Sequence, residues 1–333
     1  MNVERRVFLG ASIAAAAVAS TAAKAQWGDP PTPAQGDPAA PFFPARERFP
    51  LWPGSPPGAS AAKISANWTM NGPRNARELW IRGVPFAEVH VYRPALPDGS
   101  ALLALPGGGY SFLSVQNEGL DVAQHFNPGG TTVFILTYRL PGEGWANRSV
   151  VPLQDAQRAM RLIRARAAEF RIDPKRLGAV GFSAGGHLGA DLAVSYDEPV
   201  YKPIDAADRQ SARPAFVGLV YPVVSMRQTD SGGRAISTLT GENPSAELIA
   251  ARSPVLKVNE DTPPSFLVHA VDDGLVPFEN SVTWLQACRK AGVPAESHIF
   301  SEGGHGFGLH LAKDLPGSRW PDLFNIWFRK HGG

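Results

Sequence analysis

The stretch that most constrains this chain is residues 177–190, LGAVGFSAGGHLGA. Leu177, Ala179 and Val180 make a short apolar run suited to a buried strand, and Ala184 to Ala193 carries helix formers with small residues on one side. Between them, Gly181-Phe182-Ser183-Ala184-Gly185 has the pattern G-x-S-x-G. A serine on a tight strand-to-helix turn is pushed out at the end of a sheet, and flanking glycines leave no side chain to collide with the neighbouring strand and helix. The turn also aims the Ala184 N–H and the positive end of the helix at whatever the serine binds. A Gly- and Ser-rich turn before a helix is common, so Ser183 is a candidate nucleophile only in company with a base and an acid.

The remaining pattern is that of the sheet such a turn needs. Residues 101–105 and 132–138 are uninterrupted apolar runs, as expected of strands buried on both faces of a parallel sheet. Residues 88–92 alternate and stop at Pro94, which predicts an early edge strand, and residues 121–126 read as a helical crossover. Leu153, Ala156, Met160, Ile163 and Ala167 recur at helical spacing after Pro152, while Arg158, Arg161, Arg164 and Arg166 fall mostly off that stripe. This predicts an amphipathic helix with a solvated basic face. Residues 216–221, 265–270 and 296–300 are further strands, with helices over 279–291 and 321–330. Residues 223–262 are polar and Gly/Ser/Pro-rich, with one short helical candidate at 245–251; so long an irregular stretch often forms part of a substrate mouth. The alternation predicts one doubly wound, mostly parallel α/β sheet with helices on both faces. Neither 139–182 nor 222–264 leaves room for a large cap domain.

The opening is not part of that fold. In residues 1–25, Arg5 and Arg6 precede an Ala-rich apolar run that ends at Ala23-Lys24-Ala25, the arrangement of a twin-arginine-type signal peptide with a small-x-small cleavage site. Residues 26–48, crowded with Pro, Gly and Ala, read as a flexible lead, and residues 49–333 as the catalytic domain, with Phe49 and Trp52 pinning the lead to its surface. The expected location is periplasmic or secreted. Removing the signal takes away Arg5, Arg6 and Lys24 against Glu4, so the formal charge falls from +2 to zero. Such a protein has no net pull toward nucleic acid or anionic lipid, and no stable membrane insertion is expected. Cys288 is the single cysteine, placed on the buried side of a helix, so a Cys-based metal site or redox pair is excluded.

A serine hydroxyl needs a base held by a third group. His305 lies in a glycine loop, Gly303-Gly304-His305-Gly306-Phe307, just past a predicted strand, and Asp272 and Asp273 lie just past another. Functional loops in open α/β sheets gather at the carboxyl ends of the strands, so Ser183, Asp273 and His305 share one edge, in the chain order Ser, Asp, His. One of the two aspartates is expected only to cap a helix or shape a turn. His187 starts the serine's own helix and points along it, and His269 is read as structural. Pro106-Gly107-Gly108-Gly109 follows a strand where backbone donors for a developing oxyanion belong, and Gly108, Gly109 and Ala184 are assigned as those donors. No G-x-G-x-x-G or Gly-Lys-Ser/Thr pattern accompanies these glycines, which excludes dinucleotide and P-loop sites. The chemistry requires neither metal nor organic cofactor.

With PGGGY at 106–110, YRLP at 138–141, PLQDAQRA at 152–159, GFSAGGH at 181–187, HAVDDGLVP at 269–277 and GGHGF at 303–307, residues 51–331 resemble the α/β-hydrolase superfamily. The likeness is to exported bacterial carbohydrate esterases of the acetyl-xylan/feruloyl esterase-like group. It implies that Asp273 is the acid. It also implies hydrolysis of short acyl esters, acetyl foremost, on plant cell-wall polysaccharide such as xylan. Related esterases often carry His before the three glycines; here it is Pro106. An open mouth would suit an acylated carbohydrate substrate, with Tyr110, Trp145 and Phe307 as candidate walls. Two other readings compete: a prolyl-oligopeptidase-like peptidase, disfavoured by the lack of a propeller-length N-terminal segment, and a non-catalytic polysaccharide-binding protein, disfavoured by an intact Ser, Asp and His set.

Overall fold

The structure, a computed structural model, describes residues 31–58, 63–73, 76–227 and 234–331. The expected signal peptide and residues 26–30 of the expected lead lie outside these. Among the described residues, eleven strands form two sheets: β1 (Thr32–Pro33), β2 (Arg48–Pro50), β3 (Asn67–Asn71), β4 (Glu78–Arg82), β5 (Glu88–Tyr92), β6 (Ala101–Leu105), β7 (Thr132–Thr137), β8 (Leu177–Phe182), β9 (Val217–Val220), β10 (Ser265–Ala270) and β11 (Ala295–Phe300). The main sheet has the order β11-β10-β9-β8-β6-β7-β5-β2. It is parallel from β11 through β7, and β5 and β2 close it antiparallel. The apolar runs at β6, β7, β8 and β10 are buried at every residue, as strands covered on both faces require.

The covering helices are α1 (Asp121–Phe126), α2 (Val151–Ala165), α3 (Ala167–Phe170), α4 (Ala184–Ser195), α5 (Arg234–Thr240), α6 (Ala246–Ala251), α7 (Glu279–Lys290) and α8 (Trp320–His331). Leu153, Ala156, Met160 and Ile163 of α2 pack with Leu103, Leu105 and Leu188 on one face of the sheet. Phe324 and Phe328 of α8 pack with Phe126, Phe216 and Phe266 on the other. This is the α/β-hydrolase architecture, and among the described residues no cap domain covers the carboxyl ends of the strands. No described helix is long and apolar enough to cross a membrane.

Four features depart from the sequence reading. Residues 88–92 do not form the sheet edge: Arg48–Pro50 pairs antiparallel with them, so a strand begins at Arg48, the last residue of the expected lead. Thr32–Pro33, also in that stretch, pairs with β3 in a small antiparallel sheet of order β1-β3-β4 that short, Pro- and Gly-interrupted strands hid. The arginine face of α2 is covered rather than solvated. Arg158 is 1 % exposed and ion-paired to Asp205 and Asp208, Arg161 donates to the Tyr201 hydroxyl, and Arg164 donates to the Ser211 and Arg213 carbonyls. The described part of residues 223–262 carries two short helices, α5 and α6, where one was expected, and its Arg252 is buried and paired to Asp191 of α4 and to Glu198.

The YRLP and PLQDAQRA motifs meet in the core. Arg139 and Asp155 are both fully buried and joined through Nη2 to Oδ1 at 2.7 Å, and the Asp155 carboxylate also accepts from the Arg139 backbone and the Trp52 indole. The guanidinium lies over the rings of Trp52 and Trp145, at 5.5 and 4.9 Å from their centroids. Trp52 thus belongs to the core, at 6 % exposed, rather than pinning a lead to the surface.

Candidate active site

Ser183 follows β8 with φ 53° and ψ −118°, a conformation that costs a residue with a Cβ roughly 1–3 kcal/mol and is held here by its surroundings. Its N–H donates to the Val220 carbonyl at 3.0 Å, and its carbonyl accepts from His187 N at 2.9 Å. The turn tolerates no side chain on either flank. A Cβ at Gly181 would stand 2.2 Å from the Gly185 oxygen, and one at Gly185 would stand 2.0 Å from the Leu105 oxygen. The G-x-S-x-G pattern is therefore a steric requirement of this turn, and it leaves Ser183 half-buried rather than enclosed.

His305 arrives on the loop after β11, and its Nε2 is 2.8 Å from Ser183 Oγ. Its Nδ1 is 2.7 Å from Oδ2 of Asp273 on the loop after β10. Because Nδ1 keeps its proton and donates it in a hydrogen bond to the carboxylate, Nε2 is left as the acceptor for the serine hydroxyl. Asp273 accepts four donors. Leu275 N and Val276 N reach Oδ1, each at 2.9 Å, and His305 Nδ1 and His269 Nε2 reach Oδ2. Burial works against the charge of this carboxyl, but the hydrogen bonds from His269, His305 and Val276 N outweigh it and hold Asp273 well below the usual carboxylate range.

The second aspartate also has a place. Asp272 Oδ1 accepts from Gly304 N at 2.8 Å, fastening the loop that carries His305 instead of capping the following helix. His269, fully buried, has Nδ1 at 2.8 Å from Ser281 Oγ, and its Nε2 reaches the Val276 carbonyl as well as Asp273. A carbonyl only accepts, so Nε2 carries a proton. His187 is buried between the Tyr110 hydroxyl and the Arg252 carbonyl, away from the serine oxygen's partner. Burial pushes its pKa down.

The glycine loop after β6 lies against the serine: a Cβ on Gly107 would be 3.0 Å from that of Ser183. Gly108 and Gly109 have φ of 125° and 59°, and a side chain on Gly109 would meet nothing within 4 Å. Ala184 is the first residue of α4. The Tyr138 hydroxyl donates to the Pro106 carbonyl at 2.6 Å and supports the glycine loop there.

The three aromatic residues expected at the walls of the mouth pack instead. Tyr110 is 1 % exposed, with its hydroxyl 2.7 Å from His187 Nδ1, and so ties the glycine loop to α4. Trp145 is buried against Arg139, and Phe307 is buried edge-on to Tyr221 at 4.6 Å. Each sits beside a motif that reaches the site, which drew attention to it; adjacency in sequence does not orient a ring. The clamp of Asp272 and the contact of His269 with Asp273 escape sequence reading. Their only signal is that HAVDD packs one histidine and two carboxylates at a strand end.

The BD-FAE family model matches residues 91–287. The chain is 36 % identical over 220 residues to endo-1,4-beta-xylanase B of Butyrivibrio fibrisolvens, covering 66 % of this chain and 34 % of that one. It is 31 % identical over 249 residues to an acetylxylan esterase of Xylanibacter ruminicola, covering 74 % of this chain and 45 % of that one. It thus spans less than half the length of either relative. Among solved structures, an acetyl ester-xyloside bifunctional hydrolase from Caldicellulosiruptor lactoaceticus superposes with a TM-score of 0.71 at 32 % identity, covering 87 % of this chain and 97 % of that one. An esterase from Thermogutta terrifontis with propionate bound gives 0.62 at 25 %, covering 74 % and 90 %. With the sheet order, the serine turn and these likenesses together, the chain belongs to the BD-FAE family and has the α/β-hydrolase fold.

Proposed function

We propose that the chain is a serine carboxylic ester hydrolase that removes short acyl groups, acetyl foremost, from xylan-type plant cell-wall polysaccharide. The observation that carries this reading is the unbroken series from Ser183 Oγ to His305 Nε2 at 2.8 Å and from His305 Nδ1 to Asp273 Oδ2 at 2.7 Å. In the proposed mechanism His305 takes the Ser183 proton as Oγ attacks the ester carbonyl, and Asp273 stabilises the imidazolium without taking the proton. Gly108 N, Gly109 N and Ala184 N receive the oxyanion. His305 then protonates the sugar oxygen as its bond to the acyl carbon breaks, and a water molecule activated by the same imidazole frees the acid. The xylan assignment rests on the acetylxylan esterase and acetyl ester-xyloside hydrolase likenesses and on a serine and a histidine that keep partial exposure at the strand ends without a described cap.

The test is acetate release by the purified chain from acetylated xylan, pectin and mannan in parallel, with a peptide amide as control. Xylan is expected to be the preferred substrate, and the amide to be left intact. Ser183→Ala is expected to lose several orders of magnitude in turnover. Equal turnover by that variant overturns the mechanism, and preference for another glycan overturns the substrate. We further propose that the protein acts outside the cytoplasm, on the strength of Arg5-Arg6 and Ala23-Lys24-Ala25. Replacing both arginines with lysine is expected to strand it in the cytoplasm, as cell fractionation would reveal.

A further inference from the structure

One buried acid stands between the two loops that meet at Ser183 and takes no part in the proposed proton transfers. Glu118, 3 % exposed, lies on the turn Gln116–Leu120. That turn is widened to a five-residue bond, Leu120 N to the Val115 carbonyl at 2.8 Å, a form frequent at functional sites. Oε2 of Glu118 accepts from Gly107 N at 2.6 Å, and Oε1 accepts from the Tyr221 hydroxyl at 2.8 Å. The same hydroxyl oxygen accepts from Gly308 N at 2.9 Å. The Tyr221 ring lies 4.9 Å from the His305 ring, centroid to centroid. One residue earlier, Asn117 Nδ2 donates to the Gly306 carbonyl at 2.9 Å, and a Cβ on Gly308 would strike Asn117 Oδ1 at 2.0 Å.

A single turn therefore grips the glycine loop through Gly107 and the histidine loop through Gly306 and Gly308. We propose that Glu118 is a positioning residue for the esterase reaction, fixing the glycine loop and the His305 loop in register on either side of Ser183 through Gly107 and Tyr221. The inference rests on the esterase reading. Its physical basis is that a buried carboxyl costs free energy that an apolar side chain of the same size would avoid. What it gives in return is two directed oxygens, one hydrogen-bonded toward each loop, and a donor displaced by about 1 Å costs on the order of a hundredfold in rate.

The test compares Glu118→Ala, Glu118→Gln, Tyr221→Phe and the Glu118→Ala/Tyr221→Phe pair on a short-chain aryl ester, with Ser183→Ala beside them and thermal unfolding of each. Glu118→Ala is expected to lower kcat by about ten- to a hundredfold while KM changes by less than about threefold, since loop placement is felt by the transition state more than by the bound ester. Glu118→Gln keeps an acceptor for Gly107 N and is expected to recover most of the loss. The pair is expected to lose little more than Glu118→Ala alone, because both single changes break the same series of bonds. Folded Glu118→Ala with kcat near the parent's, an equal loss in Glu118→Gln, or losses that multiply in the pair would each overturn the inference. If Glu118→Ala does not fold, Tyr221→Phe decides: its kcat is expected to fall severalfold, and parental turnover overturns the proposal. An active Ser183→Ala would sink the esterase reading itself, whatever the Glu118 variants do.

Discussion

His269 and His305 converge on one oxygen: Oδ2 of Asp273 is 3.2 Å from Nε2 of the first and 2.7 Å from Nδ1 of the second. Only His305 goes on to Ser183, so His269 acts through the carboxylate. His269→Leu removes one N–H from Asp273 and strands Ser281 Oγ and the Val276 carbonyl. A hydrogen bond to an ion is worth roughly 1.5–3 kcal/mol, and part of this is lost in the transition state, so kcat is expected to drop about tenfold with KM little changed. A variant as active as the parent, by steady-state kinetics, would mean that the backbone donors of Leu275 and Val276 suffice.

The strained turn at Ser183 predicts a difference between two inactive variants. Ser183→Ala and Ser183→Gly both lose the hydroxyl, but only the second releases the Cβ from φ 53°. Strain of roughly 1–3 kcal/mol against a glycine entropy cost of roughly 0.4–1 kcal/mol leaves Ser183→Gly the more stable by about 1 kcal/mol. Urea denaturation of the pair measures this, and an alanine variant of equal or greater stability contradicts it.

Arg139 and Asp155 predict a large stability effect away from the chemistry. Asp155→Ala leaves a guanidinium in the core with no carboxylate and strands the Trp52 indole N–H, and is expected to cost about 3–5 kcal/mol. A loss below about 1 kcal/mol in chemical denaturation would contradict this account.

Glu118 and Asp273 respond to pH in opposite senses. Burial pushes the Glu118 carboxyl up to about 8, aided by nearby Glu78 and held back by the Tyr221 and Gly107 donors. An unfolded glutamate loses its proton near about 4.3, so between that pH and about 8 the folded chain holds a proton that the unfolded chain has released. Stability contributed by Glu118 therefore declines as pH rises through this window, by up to a few kcal/mol. Asp273, depressed, contributes stability above its unfolded value and loses it as pH falls. Denaturation of Glu118→Gln at pH 5 through 8 is expected to give a flatter profile than the parent's; superimposable profiles would refute the assignment.

What the sequence made legible follows from how local each constraint is. Gly181 and Gly185 are required by backbone collisions within one turn, and the buried strands announce themselves as unbroken apolar runs, so the fold and the approach of Ser183, Asp273 and His305 to one edge could be read directly. Orientation and distant cover could not. Arg158 looks solvated until Asp205 and Asp208 fold over it, and Tyr110 looks like a wall until His187 claims its hydroxyl. Glu118 is one carboxylate near a crossover, and its partners at 107 and 221 lie far apart along the chain. The strands at 67–71 and 78–82 are short and gain their meaning only from pairing with each other and with Thr32–Pro33.

That small outlying sheet has a consequence for anyone shortening the chain. Ile81 and Leu113 exchange backbone hydrogen bonds, 3.0 Å in one direction and 2.9 Å in the other, so β4 serves as a splint for the segment leading from Gly109 to Ser114. Trimming the amino-terminal portion as dispensable packaging, up to and including this splint, would spare Ser183, Asp273 and His305 yet free the stretch of backbone that continues from the glycine loop packed against Ser183.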